Sequence, residues 1–136
     1  MNQVHRLAEE MRKHPQVVVD TQHHLVNGMY ARTGFIPAGT VIAGCTHKTD
    51  HISILFGEAL ITLDDGPKEL SGYNVLPTKK GMTRAIYAVS DCWMTTICKT
   101  EGTELAEIED GQVEEAHTLQ TRNPELGMDK LILLEG

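Results

Sequence analysis

The sequence has few aromatic residues, no long hydrophobic run and no excess of basic residues. Phe, Trp and Tyr make up 4% of the 136 residues, which leaves little surface on which nucleic-acid bases could stack. Lysine and arginine number 12 against 19 aspartates and glutamates, and the formal net charge of −7 would repel polyanions from most of the surface. No apolar run approaches the roughly 20 residues of a membrane-spanning helix. We therefore predict neither a nucleic-acid partner nor a membrane partner.

Cysteine is scarce as well. Cys45, Cys92 and Cys98 are an odd number, so we expect no disulfide framework. His5 and Arg6 stand near the N-terminus, where a signal peptide would have its apolar core. Both features predict a cytoplasmic protein.

The length favours one domain with a sizeable core. We predict a single domain over residues 1–136, with an N-terminal helix in 1–14 and a β-barrel over 16–100. An acidic tail over 101–136 is expected to pack on the barrel or on a partner subunit.

Hydrophobic periodicity changes once along the chain. Val4, Leu7, Ala8 and Met11 recur at helical spacing before Pro15, which predicts a short amphipathic helix. Beyond it, short runs rich in Val, Ile, Thr and Tyr alternate with turn signals, as in an antiparallel barrel or sandwich. The predicted strands are 16–19, 24–35, 40–45, 51–56, 59–63, 74–76, 84–89 and 92–99, with a short C-terminal helix over 103–108. The sequence therefore predicts an all-β fold with a short helix on either side.

Residues 39–57 resemble the first motif of the cupin superfamily. That motif has a glycine, five residues, His-x-His, a glutamate a few residues later and an apolar strand that ends in glycine. In the family the two histidines and the glutamate hold a metal inside the barrel. Here Cys45, His47 and His51 stand at those three positions.

Residues 72–84 resemble the second cupin motif: a glycine, a spacer, a proline, a glycine and, two residues later, a histidine. Arg84 stands where that histidine, the fourth metal ligand, belongs. Together the two motifs imply a single cupin-type antiparallel β-barrel (a jelly roll). They also imply a homodimer, because the edge strands of cupins usually pair between subunits.

The chain is also similar to small cupin-like proteins of bacteriophages and prophages, whose function is unknown. The similarity lies in His24, residues 28–32, 37–40, 47–51, 84–88, Asp91 and 93–97. That group usually has lysine at the position of Cys45 and histidine at that of Cys98. The similarity implies a phage or prophage accessory protein that works in the host cytoplasm.

Strand alternation suggests which side chains meet. In regular strands Cys45 and His47 would share a face with Val41 and Ala43, Arg84 with Ile86 and Ala88, and Tyr30 with Arg32. If the first set faces the interior, Cys45, His47 and His51 converge near Arg84.

An anion-binding pocket is the function that these residues favour. Arg84 and Arg32 offer the planar, bidentate geometry that suits a carboxylate or a phosphate. His47, His51 and Tyr30 would add directional hydrogen bonds, and Cys45 would complete the lining. We therefore predict binding of a small anionic metabolite or nucleotide; a structural carboxylate partner for Arg84 is the competing interpretation.

Two alternatives remain open. The first is a metal-dependent enzyme in which Cys45, His47 and His51 hold Zn, Fe, Ni or Mn; the fixed charge of Arg84, which cannot ligate a metal, disfavours it. Apart from a metal, a nucleophilic role for Cys45 needs a lowered thiol pKa, which Arg84 and His47 nearby would favour. The second is a structural or assembly protein, suggested by the N-terminal helix and the apolar run Leu131–Leu134. No catalytic residue is assigned by the sequence.

Overall fold

The computed structural model describes residues 3–63, 66–127 and 131–134. Within these ranges the chain has two α-helices, α1 (Gln3–Met11) and α2 (Leu105–Gln112), and ten β-strands. The strands are β1 (Asp20–Val26), β2 (Met29–Ile36), β3 (Val41–Ala43), β4 (His51–Phe56), β5 (Ala59–Leu63), β6 (Gly66–Leu70), β7 (Tyr73–Thr78), β8 (Ala85–Ala88), β9 (Cys92–Lys99) and β10 (Leu131–Leu134). Short 3₁₀ helices follow α2 at Ala116–Thr118, Gln120–Arg122 and Pro124–Leu126. No helix in the described ranges is long and apolar enough to cross a membrane.

The strands form two sheets. One has six strands in the order β10-β1-β2-β9-β4-β7, and the other has four in the order β3-β8-β5-β6. All pairs are antiparallel except the β1–β10 edge pair, which is parallel. The predicted mostly-β chain with two short helices is confirmed. The predicted single closed barrel is not found among the described residues, because β10, β7, β3 and β6 lie at sheet edges and pair on one side only.

The apolar core fills one end of the space between the sheets. Strand β4 shows how: its residues alternate between buried and more exposed positions, with Leu55 fully buried and Ile52 46% exposed. This period of two gives the sheet one inner and one outer face. The buried members of the core are Ile36, Leu55, Ala59, Ile61, Ile86, Ala88 and Cys92.

Three of the differences from the predicted strands involve a whole strand and not only its ends. The predicted strand 24–35 is two strands, because Asn27 (φ 43°) and Gly28 (φ 81°) form a tight hairpin turn with positive φ at both residues. Residues 16–19 belong to no strand. Strand β6 was not predicted because Gly66 and Pro67 are typical of turns; Pro67 is tolerated there because β6 is an edge strand.

The segment after β9 folds back onto the six-stranded sheet. Helix α2 lies over residues 105–112, not 103–108, and buries Leu105, Ile108, Glu109 and Gln112 on one face. Leu105 and Ile108 form a second apolar cluster with residues of β1, β2 and β9. At the far end, β10 extends the sheet beside β1.

Candidate functional site

A cavity of about 530 Å³ lies between the sheets beyond the apolar core. Both sheets line it, together with residues from the segment before β1 and from the tail. Its polar and cysteine lining includes Arg32, Cys45, His47, His51, Ser53, Thr78, Arg84, Thr96, Glu109 and Gln112. Five of the six predicted site residues are thus brought to one cavity.

Short backbone contacts fix the loop that carries Cys45 and His47. The Gly44 amide donates to the Arg84 carbonyl (2.8 Å), and the Gly81 amide donates to the His47 carbonyl (2.7 Å). A Cβ atom on Gly44 would lie 2.9 Å from the Arg84 carbonyl oxygen, so only glycine allows this approach. The loop between β3 and β4 is therefore held against the residues that precede β8.

In strand β3 the side chain that packs against the core is that of Ile42. Ile42 pairs with Ile86 and packs against the core, whereas Val41 pairs with Tyr87, which is exposed. Val41 and Ala43 therefore lie on the other side of β3 from Ile42, although both still border the cavity at this edge of the sheet. Cys45 and His47 nevertheless line the cavity, because β3 ends at Ala43 and the backbone beyond it no longer alternates as a strand.

The His47 and His51 rings stack, with centroids 3.9 Å apart and planes inclined by 28°. Burial lowers the pKa of His47 to about 4, helped by the charges of His51, Arg32 and Arg84. Burial also lowers the pKa of His51, although its Nδ1 lies 3.1 Å from the Thr49 carbonyl. Both imidazoles are therefore neutral at pH 7. The Nδ1–H of His51 donates to the Thr49 carbonyl, so its Nε2 is a hydrogen-bond acceptor.

This ring geometry does not fit a metal site. Two imidazoles on one ion, with metal–nitrogen distances of about 2.0–2.1 Å, have their centroids about 5 Å apart in a tetrahedral site and about 4.5 Å apart at adjacent octahedral positions. The described residues also contain no group of three or more His, Cys, Asp or Glu side chains placed to hold an ion. His47, His51 and Cys45 thus do not form the metal site that the cupin motif implies, and we derive no chemistry through one.

Cys45 is a protonated thiol at neutral pH. Burial, followed by the charge of Glu115, raises its pKa to about 11. The predicted lowering by Arg84 and His47 is wrong, because loss of solvation outweighs the nearby positive charge. Burial also raises the pKa of Cys98 to about 11, and its Sγ accepts a hydrogen bond from Gln112 Nε2 at 2.7 Å. Neither thiol is activated as a nucleophile.

Arg32 is bound to a carboxylate that the sequence interpretation missed. Its Nη1 lies 2.9 Å from Oε2 of Glu109, which is 1% exposed. Glu109 also accepts hydrogen bonds from Arg122 Nε (3.0 Å) and Thr121 Oγ1 (2.5 Å). The sequence feature that points to Glu109 is its position one residue after Ile108, on the same buried face of α2.

Tyr30 is not among the residues that line the cavity. It is 1% exposed, packs in the second cluster with Leu105 and Ile108, and its hydroxyl lies 2.5 Å from His23 Nδ1. Burial raises its pKa above the ordinary range of a tyrosine. Its predicted role as a ligand-binding residue is not supported, because α2 covers β2 at this position.

One tail side chain holds the segment before β1 beside the cavity. Gln120 Oε1 accepts from the Val19 amide (2.8 Å), and its Nε2 donates to the Val17 carbonyl (2.9 Å). A single amide thus replaces the strand pairing that residues 16–19 lack. Val17, Val19 and Gln120 all contribute to the cavity lining.

Comparison with solved structures identifies the fold. One match is a cupin superfamily protein from Desulfitobacterium hafniense DCB-2: 21% identity, a TM-score of 0.53, and coverage of 65% of this chain and 83% of that one. The chain has the cupin fold. A second match, a protein of unknown function from Rhizobium leguminosarum bv. viciae 3841, is 14% identical with a TM-score of 0.51 and covers 68% and 89% of the two chains.

At these identities the likeness extends to the fold alone. No protein-family model matches the sequence, and the search of curated proteins gave no match. The function of this cupin-fold chain has to be argued from the cavity itself.

Proposed function

We propose that this cupin-fold protein binds a small anionic molecule in the cavity between its sheets. One observation carries the proposal: Arg84, His47 and His51 line the same cavity of about 530 Å³, a size typical of small-molecule sites. Arg84 is the anchor for the anionic group, since a guanidinium binds an oxyanion through two parallel hydrogen bonds. The predicted phage or prophage accessory role stays a prediction.

The electrostatics of the site support an anion over a cation. The charge of Arg84 lowers the pKa of both His47 and His51, so its positive potential reaches both imidazoles. An anion would be stabilised by that potential, and its oxygens could accept a hydrogen bond from His47. His51 is not a donor to it, because the Nδ1–H of its neutral ring donates to the Thr49 carbonyl. The charge of Arg32 also lowers the pKa of His47, while its Nη1 is bound to Glu109.

Thermal shift with a panel of small carboxylates, inorganic phosphate and nucleoside monophosphates tests the proposal. We expect at least one of these anions to raise the melting temperature, because it binds only the folded state. Arg84→Gln should weaken that binding about tenfold or more, since a hydrogen bond to a charged group is lost. Arg84→Lys should retain part of it, because the charge remains while the planar geometry does not.

Arg6→Gln is the matched control, because it removes the same charge from an exposed position on α1. We expect it to leave anion binding unchanged. Circular dichroism of every variant checks that the fold is intact. The proposal is overturned if no anion stabilises the protein, or if folded Arg84→Gln binds as tightly as the wild type.

A second role, self-association, is favoured by the outer face of the six-stranded sheet. The outward positions paired across β4, β7 and β9 carry no charge: they are Ile52, Ile54, Phe56, Tyr73, Val75, Pro77, Trp93, Thr95 and Ile97. Phe56, Tyr73 and Trp93 are 51%, 64% and 42% exposed. An exposed apolar patch of this kind is typical of an interface, and two copies with a net charge of −7 can approach on an uncharged face.

Light scattering with Trp93→Glu tests this role, with Val89→Glu as the control at another exposed position (55%). We expect a wild-type homodimer that Trp93→Glu converts to a monomer and Val89→Glu does not. A wild-type monomer at every concentration would exclude the role.

A further inference from the structure

The six-stranded sheet gives the cavity a polar wall. The side chains that line it there are Thr78 of β7, His51 and Ser53 of β4, Thr96 of β9 and Arg32 of β2. Strand pairing places His51 opposite Thr78, Ser53 opposite Thr96, and Thr96 opposite Arg32. Side chains paired in this way on one face of a sheet are close neighbours. A ligand in the cavity therefore meets a row of adjacent hydrogen-bonding groups.

His51 contributes an acceptor to this polar wall. The Nδ1–H of its neutral ring donates to the Thr49 carbonyl (3.1 Å), so Nε2 has a lone pair and no proton. No group in the described part of the chain donates to Nε2. His51 is only 8% exposed, and its ring lines the cavity. A buried acceptor is unfavourable without a donor, and the donor here has to come from a molecule in the cavity.

Thr78 contributes a second acceptor beside the first. It is 6% exposed and also lines the cavity. Its hydroxyl donates to the Leu76 carbonyl (3.1 Å), so its one proton is used within β7 and its oxygen is left as an acceptor. The Cβ atoms of directly opposite residues such as His51 and Thr78 lie about 4.5–5.5 Å apart. One donor group of a ligand can therefore reach both acceptors.

The environment of these acceptors favours a neutral donor. Burial is the largest of the effects that lower the pKa of His51, and the charge of Arg84 lowers it further. A ligand ammonium group beside the ring would meet the same two effects, and both disfavour positive charge. A hydroxyl group donates without bringing charge into the cavity. The Ser53 and Thr96 hydroxyls, 3.4 Å apart, are only weakly bonded to each other and can turn toward a hydroxylated ligand.

We propose that the ligand is a hydroxylated anion, which is a small carboxylate or phosphate ester that also carries a free hydroxyl group. The hydroxyl donates to His51 Nε2 and Thr78 Oγ1, and the anionic group lies toward Arg84. The inference rests on the proposed anion-binding function and adds the second group by which the site recognises its ligand. It assigns a role in specificity to Thr78, which the sequence did not single out.

Isothermal titration calorimetry of the full chain with matched ligands tests the inference. The pairs are butyrate with its hydroxybutyrates, and propyl phosphate with glycerol 3-phosphate. The aminobutyrates carry an ammonium group in place of the hydroxyl, and butanediol lacks the anionic group. We expect at least one hydroxylated anion to bind about tenfold or more tightly than its partner without the hydroxyl, because that partner leaves both buried acceptors without a donor. The aminobutyrates and butanediol should bind more weakly than the hydroxybutyrates.

Variants of the two acceptors locate the effect. Thr78→Val keeps the shape of the side chain but removes its oxygen, and should reduce the advantage of the hydroxylated anion about fivefold or more. His51→Asn should act in the same direction, whereas His51→Gln should retain part of the advantage, because only the longer amide reaches the position of Nε2. Thr95→Val, on the outer face of β9 and away from the cavity, is the matched control and should change nothing. Circular dichroism checks the fold of each variant.

The outcomes separate this inference from the function on which it rests. If anions bind through Arg84 but none gains from a hydroxyl, or if folded Thr78→Val and His51→Asn keep the full advantage, the ligand class is wrong while the anion-binding function stands. If butanediol binds as tightly as the hydroxybutyrates, and Arg84→Gln changes neither, the proposed function fails and the ligand is a neutral hydroxylated molecule. If none of these probes binds, both proposals fail.

Discussion

The two ends of the space between the sheets are built differently. At one end Leu55, Ile61 and Ala88 are fully buried, and aliphatic packing holds the sheets together. At the other end the sheets enclose a cavity, and hydrogen bonds and ion pairs from the tail hold its walls. Glu109, on α2, joins Arg32 of the sheet to Arg122 of the tail.

The packed end therefore contributes mainly to the stability of the fold, and the end with the cavity is the one that can bind a ligand. Close-packed aliphatic side chains stabilise the fold but leave no room for a ligand. Polar side chains around a cavity contribute less to stability, because their interactions replace ones that they would make with water. Substitutions at the two ends should therefore have different consequences.

The largest effect is expected at the packed end. Leu55→Ala removes a fully buried side chain and should lower the free energy of unfolding by about 3 kcal/mol, because it leaves a cavity. Ser53→Ala, two residues along the same inner face, should lower it by less than about 1 kcal/mol, since only a long hydrogen bond to Thr96 (3.4 Å) is lost. Urea denaturation measures both, and similar losses would contradict the comparison.

Breaking the ion-pair network should have the next largest effect. Glu109→Gln removes the charge that pairs with Arg32 and Arg122 and should destabilise the protein by about 2 kcal/mol. The value lies below that of a fully buried pair because the two arginine side chains are 25% and 29% exposed. Hydrogen exchange should also accelerate in α2. Glu114→Gln, at an exposed position, is the control and should change neither measurement.

Acid should destabilise the end of the fold that contains the cavity, through protonation of His47. In the unfolded chain this histidine takes up a proton near pH 6.5, but burial lowers its pKa in the folded state to about 4. Between these values the unfolded state binds more protons, so stability falls as pH falls from 6.5 to 4 and then levels off. We expect this part of the loss to be about 2 kcal/mol, below the limit of about 1.4 kcal/mol per pKa unit because the ring is partly exposed.

His47→Gln should remove that part of the pH dependence, as measured by denaturation between pH 7 and pH 4. His117→Gln replaces an exposed histidine and should leave the curve unchanged. An identical curve for His47→Gln and the wild type would show that His47 is not protected from protons.

The smallest effect is expected where the tail holds the segment before β1. Gln120→Ala removes the two hydrogen bonds to Val17 and Val19 and should cost about 1 kcal/mol. The local effect should be clearer, with faster hydrogen exchange of the Val19 amide and little change in the core strands. Gln22→Ala, at an exposed position of β1, is the control. Unchanged exchange at Val19 would show that other contacts hold this segment.

Much of the fold was predictable because strands with one buried face have a clear period. The predicted strands 51–56, 59–63 and 92–99 coincide with β4, β5 and β9. The strand predictions are wrong where a turn or a sheet edge, and not hydrophobic periodicity, determines the local structure. The Asn27-Gly28 hairpin was overlooked, and β6 carries a proline that only an edge strand accepts.

The site was predictable only in part. Motif spacing predicts His47, His51 and Arg84 as site residues, and the structure brings them to one cavity. Tyr30 was chosen by the same alternation rule as Arg32, yet α2 covers one and leaves the other in the cavity wall. Which tail residues reach the sheet depends on contacts across more than 70 positions, such as Arg32 with Glu109, and no local pattern encodes them.

The sequence by itself therefore determined which strands have one buried and one exposed face, where the motif residues lie, and the negative net charge. Each of these depends on near neighbours in the chain or on composition. The tertiary structure decided the protonation of the site. Burial keeps His47 and His51 neutral, raises the pKa of Cys45 against the nearby arginine charge, and pairs Arg32 with Glu109. These properties depend on loss of water and on distances between remote residues, and only the folded chain fixes both.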